Sequence, residues 1–180
     1  NVLDREFDVS LIDEITRYVL RNGFLGSPLI ETYYQVLQLL SGPEPETAFQ
    51  SLLQLLEAHR DRFSVEDLNN VYQYVKNHCI RRINLGDEVY RERLFGIYQH
   101  ILADERLMRH DYLSPWEYKN IVTLGLRLRQ EAWVADFIEL HLHHLPPNER
   151  DNAHTYNSAM LCYYRKQYRQ AVKLLQTVEF

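Results

Sequence analysis

The sequence predicts an all-α fold of about nine amphipathic helices. Apolar residues recur at the three- and four-residue spacing of a helix in nearly every segment, and no segment sustains the two-residue alternation of a strand. Turn and helix-start residues separate these segments at short intervals. Because short connections make successive helices antiparallel, the 180 residues are predicted to form either a helical bundle or a solenoid of hairpins.

Four helices are predicted in the first half of the chain. They share an apolar stripe and a stop signal, and they cover about residues 9–22, 28–40, 45–62 and 64–85. Gly23 can adopt the left-handed conformation that ends the first helix. Ser27 is expected to cap the second helix, because a serine oxygen can accept a hydrogen bond from a helix-start amide. Ser64 and Asp67 have the spacing of a capping box and are expected to open the fourth helix.

Five helices are predicted in the second half of the chain. Three of them cover about residues 87–108, 114–130 and 131–145, and the last two form a hairpin over residues 152–180. Asp87 is expected to cap the first of these helices. The clearest start signal in the chain is Ser114, followed by Pro115 and by Glu117, which has the capping-box spacing.

Composition excludes some classes of protein. The formal net charge is −5, which argues against non-specific nucleic-acid binding. No apolar run approaches the roughly 20 residues that a membrane span requires. Cys79 and Cys162 lie in apolar helical patterns and are predicted to be buried thiols outside any disulfide, which fits a reducing compartment and a cytoplasmic location. Since the sequence starts without methionine and stops just after a helical pattern, we expect a piece of a longer chain.

Small residues suggest an internal repeat. Ala48, Gly96, Ala135 and Ala171 lie near the starts of alternate helices, at spacings of 48, 39 and 36 residues. In a packed hairpin a small side chain lets the two helices approach closely. This pattern favours a repeat over an irregular bundle. It predicts one helical-repeat domain over residues 1–180, with hairpins at about 9–40, 45–85, 87–130 and 131–180, or in the register 64–108, 114–147 and 148–180.

The hairpin at 152–180 carries the most regular motif. Each of its helices combines aromatic or large apolar residues with one small residue: Tyr156, Ala159 and Tyr163 in the first, and Tyr168, Ala171 and Leu175 in the second. This hairpin resembles a tetratricopeptide repeat, although Lys166 and Gln167 stand where that family usually has a turn glycine. The segment 114–147 resembles the family more weakly, with Ala135 at the small position and Pro147 twelve residues later.

The resemblance implies a fold and a kind of function. It implies a right-handed α-solenoid whose concave face binds an extended peptide or a helix of a partner protein, so the chain is expected to be a non-enzymatic interaction or scaffold module. The family's carboxylate clamp is not expected, because Tyr156 and Met160 occupy the aligned positions. Asn157 matches an asparagine that is common in the first helix of the repeat. The predicted contact residues lie on the exposed side of that helix: Tyr156, Asn157, Met160, Tyr163 and Tyr164.

The last helix raises a separate expectation. Its apolar residues Val172, Leu174, Leu175 and Val178 come immediately before the end of the sequence. A solenoid needs a polar surface on its terminal repeat. We therefore expect this helix to pack on further chain or on another copy of the protein.

A histidine cluster leaves a hydrolase as one alternative. His141 and His144 share a helix face, and Glu139, His143 and His154 are near in sequence, so a metal-dependent or carboxylate-based hydrolase on a helical fold is conceivable. The preferred interpretation is that these are solvated histidines at a negative helix end. No catalytic residue, cofactor or metal site is predicted.

Close pairs of arginines leave nucleic-acid binding as a second alternative. If neighbouring repeats align them, they form a basic strip: Arg81, Arg82, Arg91, Arg93, Arg127 and Arg129. The preferred interpretation is that they pair with nearby carboxylates on solvated helix faces.

Overall fold

A computed structural model of the chain describes residues 10–108 and 113–178. The two ends of the prediction, Val9 and Phe180, lie outside this part. The model is 83% helical and has no strand among the described residues, which confirms the all-α class. Ten α-helices follow one another in this part: α1 (Ser10–Arg21), α2 (Pro28–Ser41), α3 (Pro45–Ala58), α4 (Val65–Asn84), α5 (Val89–Ala103), α6 (Glu105–Met108), α7 (Pro115–Arg127), α8 (Glu131–Leu140), α9 (Arg150–Tyr164) and α10 (Tyr168–Leu175).

Several predicted helix ends are present. The Ser64 side chain accepts the Asp67 amide at 3.0 Å, and Ser114 accepts the Glu117 amide at 3.0 Å. Gly23 has φ 69° after α1, as its left-handed role requires. These signals are local, because donor and acceptor lie three residues apart in the chain.

Other predicted features differ from the structure. Ser27 is the N-cap residue of α2, as predicted, but its side chain makes no capping hydrogen bond. The Asp87 carboxylate does not cap α5, because it accepts a hydrogen bond from the Arg82 guanidinium at 2.7 Å instead. The helix predicted at 87–108 breaks at Asp104, which has extended backbone and whose carboxylate accepts the Arg106 amide at 2.9 Å. A short polar side chain at this point thus ends α5 and starts α6.

The chain divides into two compact units, which meet in sequence between His78 and Cys79. In the first unit, α2 packs against α3. The most deeply buried apolar side chains of this unit come from α2, α3 and the first part of α4: Leu39, Phe49, Leu52, Leu68, Val71 and Val75. Ala48 is buried, as predicted for a small residue at a helix contact.

The core of the second unit contains α5, α7, α8 and α9. Tyr118 of α7 is fully buried, and its hydroxyl donates a hydrogen bond of 2.7 Å to the Ile138 carbonyl of α8. Its ring lies 4.7 Å from that of Phe137. Both cysteines are described; they are buried and form no disulfide, as predicted. No helix in the described part of the chain is long and apolar enough to cross a membrane.

A close approach between α7 and α8 lies at a small residue that the repeat pattern missed. A Cβ added at Gly125 of α7 would lie 2.6 Å from Cγ2 of Val134 and 3.2 Å from Phe95. Ala135, the predicted small residue, is only half-buried. Gly96 is not at a close approach either, since an added Cβ would meet nothing within 4 Å.

Candidate protein-binding surface on the last hairpins

The turn that connects α7 to α8 has the same geometry as the turn that connects α9 to α10, 37 residues later. Arg129 and Lys166 have φ of 59° and 61°. After them, the Gln130 amide donates to the Gly125 carbonyl at 2.9 Å, and the Gln167 amide donates to the Cys162 carbonyl at 2.8 Å. This six-residue hydrogen bond satisfies a carbonyl that the helix end leaves without a partner. An arginine or lysine thus adopts the left-handed backbone conformation that glycine usually adopts at such a turn.

The predicted contact residues mostly share one side of α9. Tyr156, Met160 and Tyr164 are half-buried, and Tyr163 is 57% exposed. Their spacing of three, four and seven residues places them along one stripe of the helix. We call these four residues the tyrosine face. Whether this face contacts a partner stays a prediction.

Asn157 is the exception, because it does not lie on the exposed side of α9. It is 2% exposed, and its Nδ2 donates a 2.7 Å hydrogen bond to the Ala153 carbonyl. Its Oδ1 is buried and has no donor among the described residues. The reason is that α9 packs against α7, α8 and α10, which leaves only a narrow exposed stripe. A buried acceptor without a donor lowers the stability of the fold, and such atoms are rare in native proteins.

An open groove of about 210 Å³ lies beside Tyr156 and Asn157. Besides these two residues, it is lined by Pro115, Lys119, Glu149, Asn152, Ala153 and Val178. We call this the α7–α9 groove. Its walls combine apolar atoms with two amides, one cation and one carboxylate, a mixture typical of small recognition sites.

Lys119 is held at the groove by two aromatic rings. Its ammonium nitrogen lies 5.4 Å from the Trp116 ring centroid and 5.3 Å from that of Tyr156. Both distances are within the range of cation–π attraction. Trp116 is 69% exposed, so a large aromatic surface is available beside the cation.

Trp116 and Lys119 were not predicted as contact residues. The local signal existed, because the helix start at Ser114 places both side chains in the first turns of α7, three residues apart. What the sequence lacked was the packing of α7 on α9, which brings Lys119 to Tyr156.

The histidine cluster differs from its prediction. His141 follows α8, and its ring stacks 5.1 Å from Phe137 and 5.5 Å from His144. Burial, then the nearby His144 and His143, lower the pKa of His141 to about 4. It is therefore neutral at pH 7, and its half-buried ring differs from the solvated side chain that was expected at the helix end. Burial likewise lowers the pKa of His144.

No group of three histidine, cysteine, aspartate or glutamate side chains in the described ranges is placed to hold a metal ion. His154 instead lies 2.9 Å from a carboxylate oxygen of Glu139, which links α9 to α8. The histidine-centred metal site that the hydrolase alternative invoked is thus not formed by the residues described.

Some of the paired arginines contact side chains of their own unit, and two of them pair with carboxylates, as the preferred interpretation expects. Arg82 forms an ion pair with Asp87, and Arg91 forms one with Glu88. The Arg93 guanidinium lies 4.6 Å from the centroid of the Tyr90 ring. These contacts hold three of the six arginines against their own unit.

Comparison with known proteins adds no relative. No protein-family model matches the chain, and neither the curated proteins nor the solved structures yield a significant match. Function is therefore argued from the geometry of the two hairpins.

Proposed function

We propose that this protein is a non-enzymatic interaction module, a tetratricopeptide-like α-solenoid that binds an extended segment of a partner protein. The segment lies in the α7–α9 groove and continues along the tyrosine face. The observation that carries the proposal is the ammonium of Lys119, which lies against the Trp116 and Tyr156 rings at this groove.

Lys119 defines the ligand chemistry. Its ammonium favours a carboxylate, and a charge-assisted hydrogen bond to it is stronger than a neutral one. An extended peptide with an aspartate or glutamate side chain presents this group. Tyr156 and Trp116 add aromatic surface at low entropic cost, which is the usual source of affinity in interfaces.

Two further features support a repeat architecture. The turn after α7 and the turn after α9 have the same left-handed residue and the same hydrogen bond, 37 residues apart. At the same distance, Asn120 precedes Asn157 and Gln130 precedes Gln167. Repeats of this length are typical of helical solenoids that act as binding modules.

A peptide-display selection tests the proposal. Random extended peptides are selected on the purified chain, and the Kd of enriched sequences is measured by fluorescence anisotropy. We expect acidic peptides to be enriched, and we expect Tyr156→Ala or Lys119→Gln to weaken binding about tenfold or more, since hot-spot truncations commonly reach that size. Tyr74→Ala is the matched control, because Tyr74 is an exposed tyrosine of α4 outside the groove. If no peptide is enriched, or if the control weakens binding as much as Tyr156→Ala, the proposal is wrong.

A further inference from the structure

A second apolar surface lies on α10, away from the α7–α9 groove. Tyr168, Val172 and Leu175 are 55%, 56% and 38% exposed, and their spacing of four and three residues aligns them on one stripe of α10. The ring of Tyr163, at the end of α9, lies 5.7 Å from that of Tyr168 and extends the stripe. We call these four residues the end face.

The preceding hairpin shows what covers such a surface. Thirty-seven residues before Tyr163 and Leu175 stand Leu126 and Ile138, each only 1% exposed. There, α9 packs against both α7 and α8. Two of the four end-face positions are thus buried in the hairpin that a helix follows, whereas Tyr168 and Val172 correspond to the half-buried Glu131 and Ala135. A helix is therefore the shape that this surface accepts.

The charge beside the end face indicates the chemistry of that helix. Lys166, Arg169 and Lys173 are exposed, and none of them has an ion pair with a residue that the structure describes. Residues 165–176 contain no aspartate or glutamate. On a helical wheel, Arg169 and Lys173 flank one side of the stripe. A helix lying on the stripe meets these cations with its own flanking residues.

We infer that the end face is a docking site for an amphipathic helix of a partner protein, with an apolar stripe flanked by glutamate or aspartate. A second copy of this chain fits less well. In a two-fold interface with antiparallel copies of α10, Arg169 and Lys173 of both copies would lie on the same side and meet. Tyr163 belongs to both the tyrosine face and the end face, but the variants that test this inference lie on α10 and leave the α7–α9 groove unchanged, so either site can fail without the other.

The test is a display library of designed amphipathic helices about five turns long. All members carry leucine on one face, and the flanking positions vary among glutamate, glutamine and lysine. We expect glutamate-flanked helices to be enriched and to bind at least tenfold more tightly than their lysine-flanked counterparts. Val172→Ser with Leu175→Ser should lower the affinity at least tenfold. Leu140→Ser, at an apolar residue of α8 that is 66% exposed, is the matched control and should change nothing.

Charge reversal keeps the test decisive if the serine variant folds poorly. Arg169→Glu with Lys173→Glu changes only exposed side chains, and it should shift the preference toward lysine-flanked helices. The inference would be overturned if helices were enriched regardless of their flanking residues, or if neither double variant changed the binding. It would also be overturned if sedimentation showed a wild-type dimer that Val172→Glu converts to monomer, since the occupant would then be a second copy.

Discussion

The α7–α8 and α9–α10 hairpins have the same turn but differ in the exposure of their second helices. In the first, the second helix is covered by α9, and its Phe137 and Ile138 are almost fully buried. In the second, α10 buries Ala171 and leaves Tyr168 and Val172 more than half exposed. The same turn is therefore compatible with different helix packing. The difference lies in which side chains face a neighbouring helix. Variants at equivalent positions can separate the contribution of the turn from that of the packing.

The largest expected effect is at Gly125, the close approach of the first hairpin. Gly125→Ala should lower the free energy of unfolding by about 2 kcal/mol, because the added methyl overlaps the fully buried, β-branched Val134. Urea denaturation followed by circular dichroism measures the change. Gly96→Ala is the control: its new methyl meets nothing, so helix propensity should stabilise the protein by about 0.5–1 kcal/mol. A neutral Gly125→Ala variant would show that α7 and α8 are less closely packed than described.

The buried hydrogen bond of Tyr118 should give the next largest effect. Tyr118→Phe leaves the Ile138 carbonyl without its donor and should cost about 1.5 kcal/mol. The equivalent residue of the second hairpin is Thr155, whose hydroxyl donates within its own helix to Asp151 at 2.8 Å in an exposed position. Thr155→Val should therefore cost less than about 0.5 kcal/mol in the same urea experiment. Equal losses of stability in the two variants would mean that Tyr118 and Thr155 do not differ in burial.

The shared turn should respond equally in both hairpins. Lys166→Gly and Arg129→Gly should each stabilise the protein by about 0.5–1 kcal/mol, because glycine adopts positive φ without the Cβ strain of other residues. Lys166→Ala keeps the strain and should leave the midpoint of thermal unfolding unchanged. If only one of the two glycine variants is stabilised, the turns are not equivalent in solution.

The smallest expected effect is the titration of His141, which directly follows α8 of the first hairpin and is half-exposed. Its pKa is lowered from 6.5 to about 4 in the folded chain, so between these values the unfolded chain binds more protons. This contribution to stability is complete above pH 6.5 and is lost as the pH falls toward 4. His141→Gln should flatten that part of the stability profile, and His100→Gln, at an exposed histidine of α5 that does not act on His141, is the control. An unchanged slope in His141→Gln would contradict the assigned burial.

Local signals explain what could be predicted. The starts at Ser64 and Ser114 depend on contacts three residues apart, so the sequence alone reveals them. The helical period also identifies most buried positions, such as Phe49 and Val134. The break at Asp104 was missed because a carboxylate that caps the next helix leaves the apolar period almost undisturbed.

Features that depend on tertiary contacts could not be predicted from the sequence. The period shows which residues face inward, but not which of two facing helices supplies the small residue, so Ala135 was chosen instead of Gly125. The tetratricopeptide resemblance predicts Asn157 on the exposed side of its helix, whereas the packing around α9 buries it. The contact between Lys119 and Tyr156 needs two helices 37 residues apart to meet, which no local pattern encodes.

The two tryptophans of the chain occupy contrasting environments. Trp116 is mostly exposed at the groove, beside the ammonium of Lys119. Trp133 is half-buried, with its ring 4.7 Å from Phe95 and 5.3 Å from Phe137. Their fluorescence thus provides two internal probes. In Trp133→Phe, emission reports the arrival of a ligand at the groove. In Trp116→Phe, it reports the loss of core packing, so occupancy and unfolding can be followed separately in one protein without an attached label.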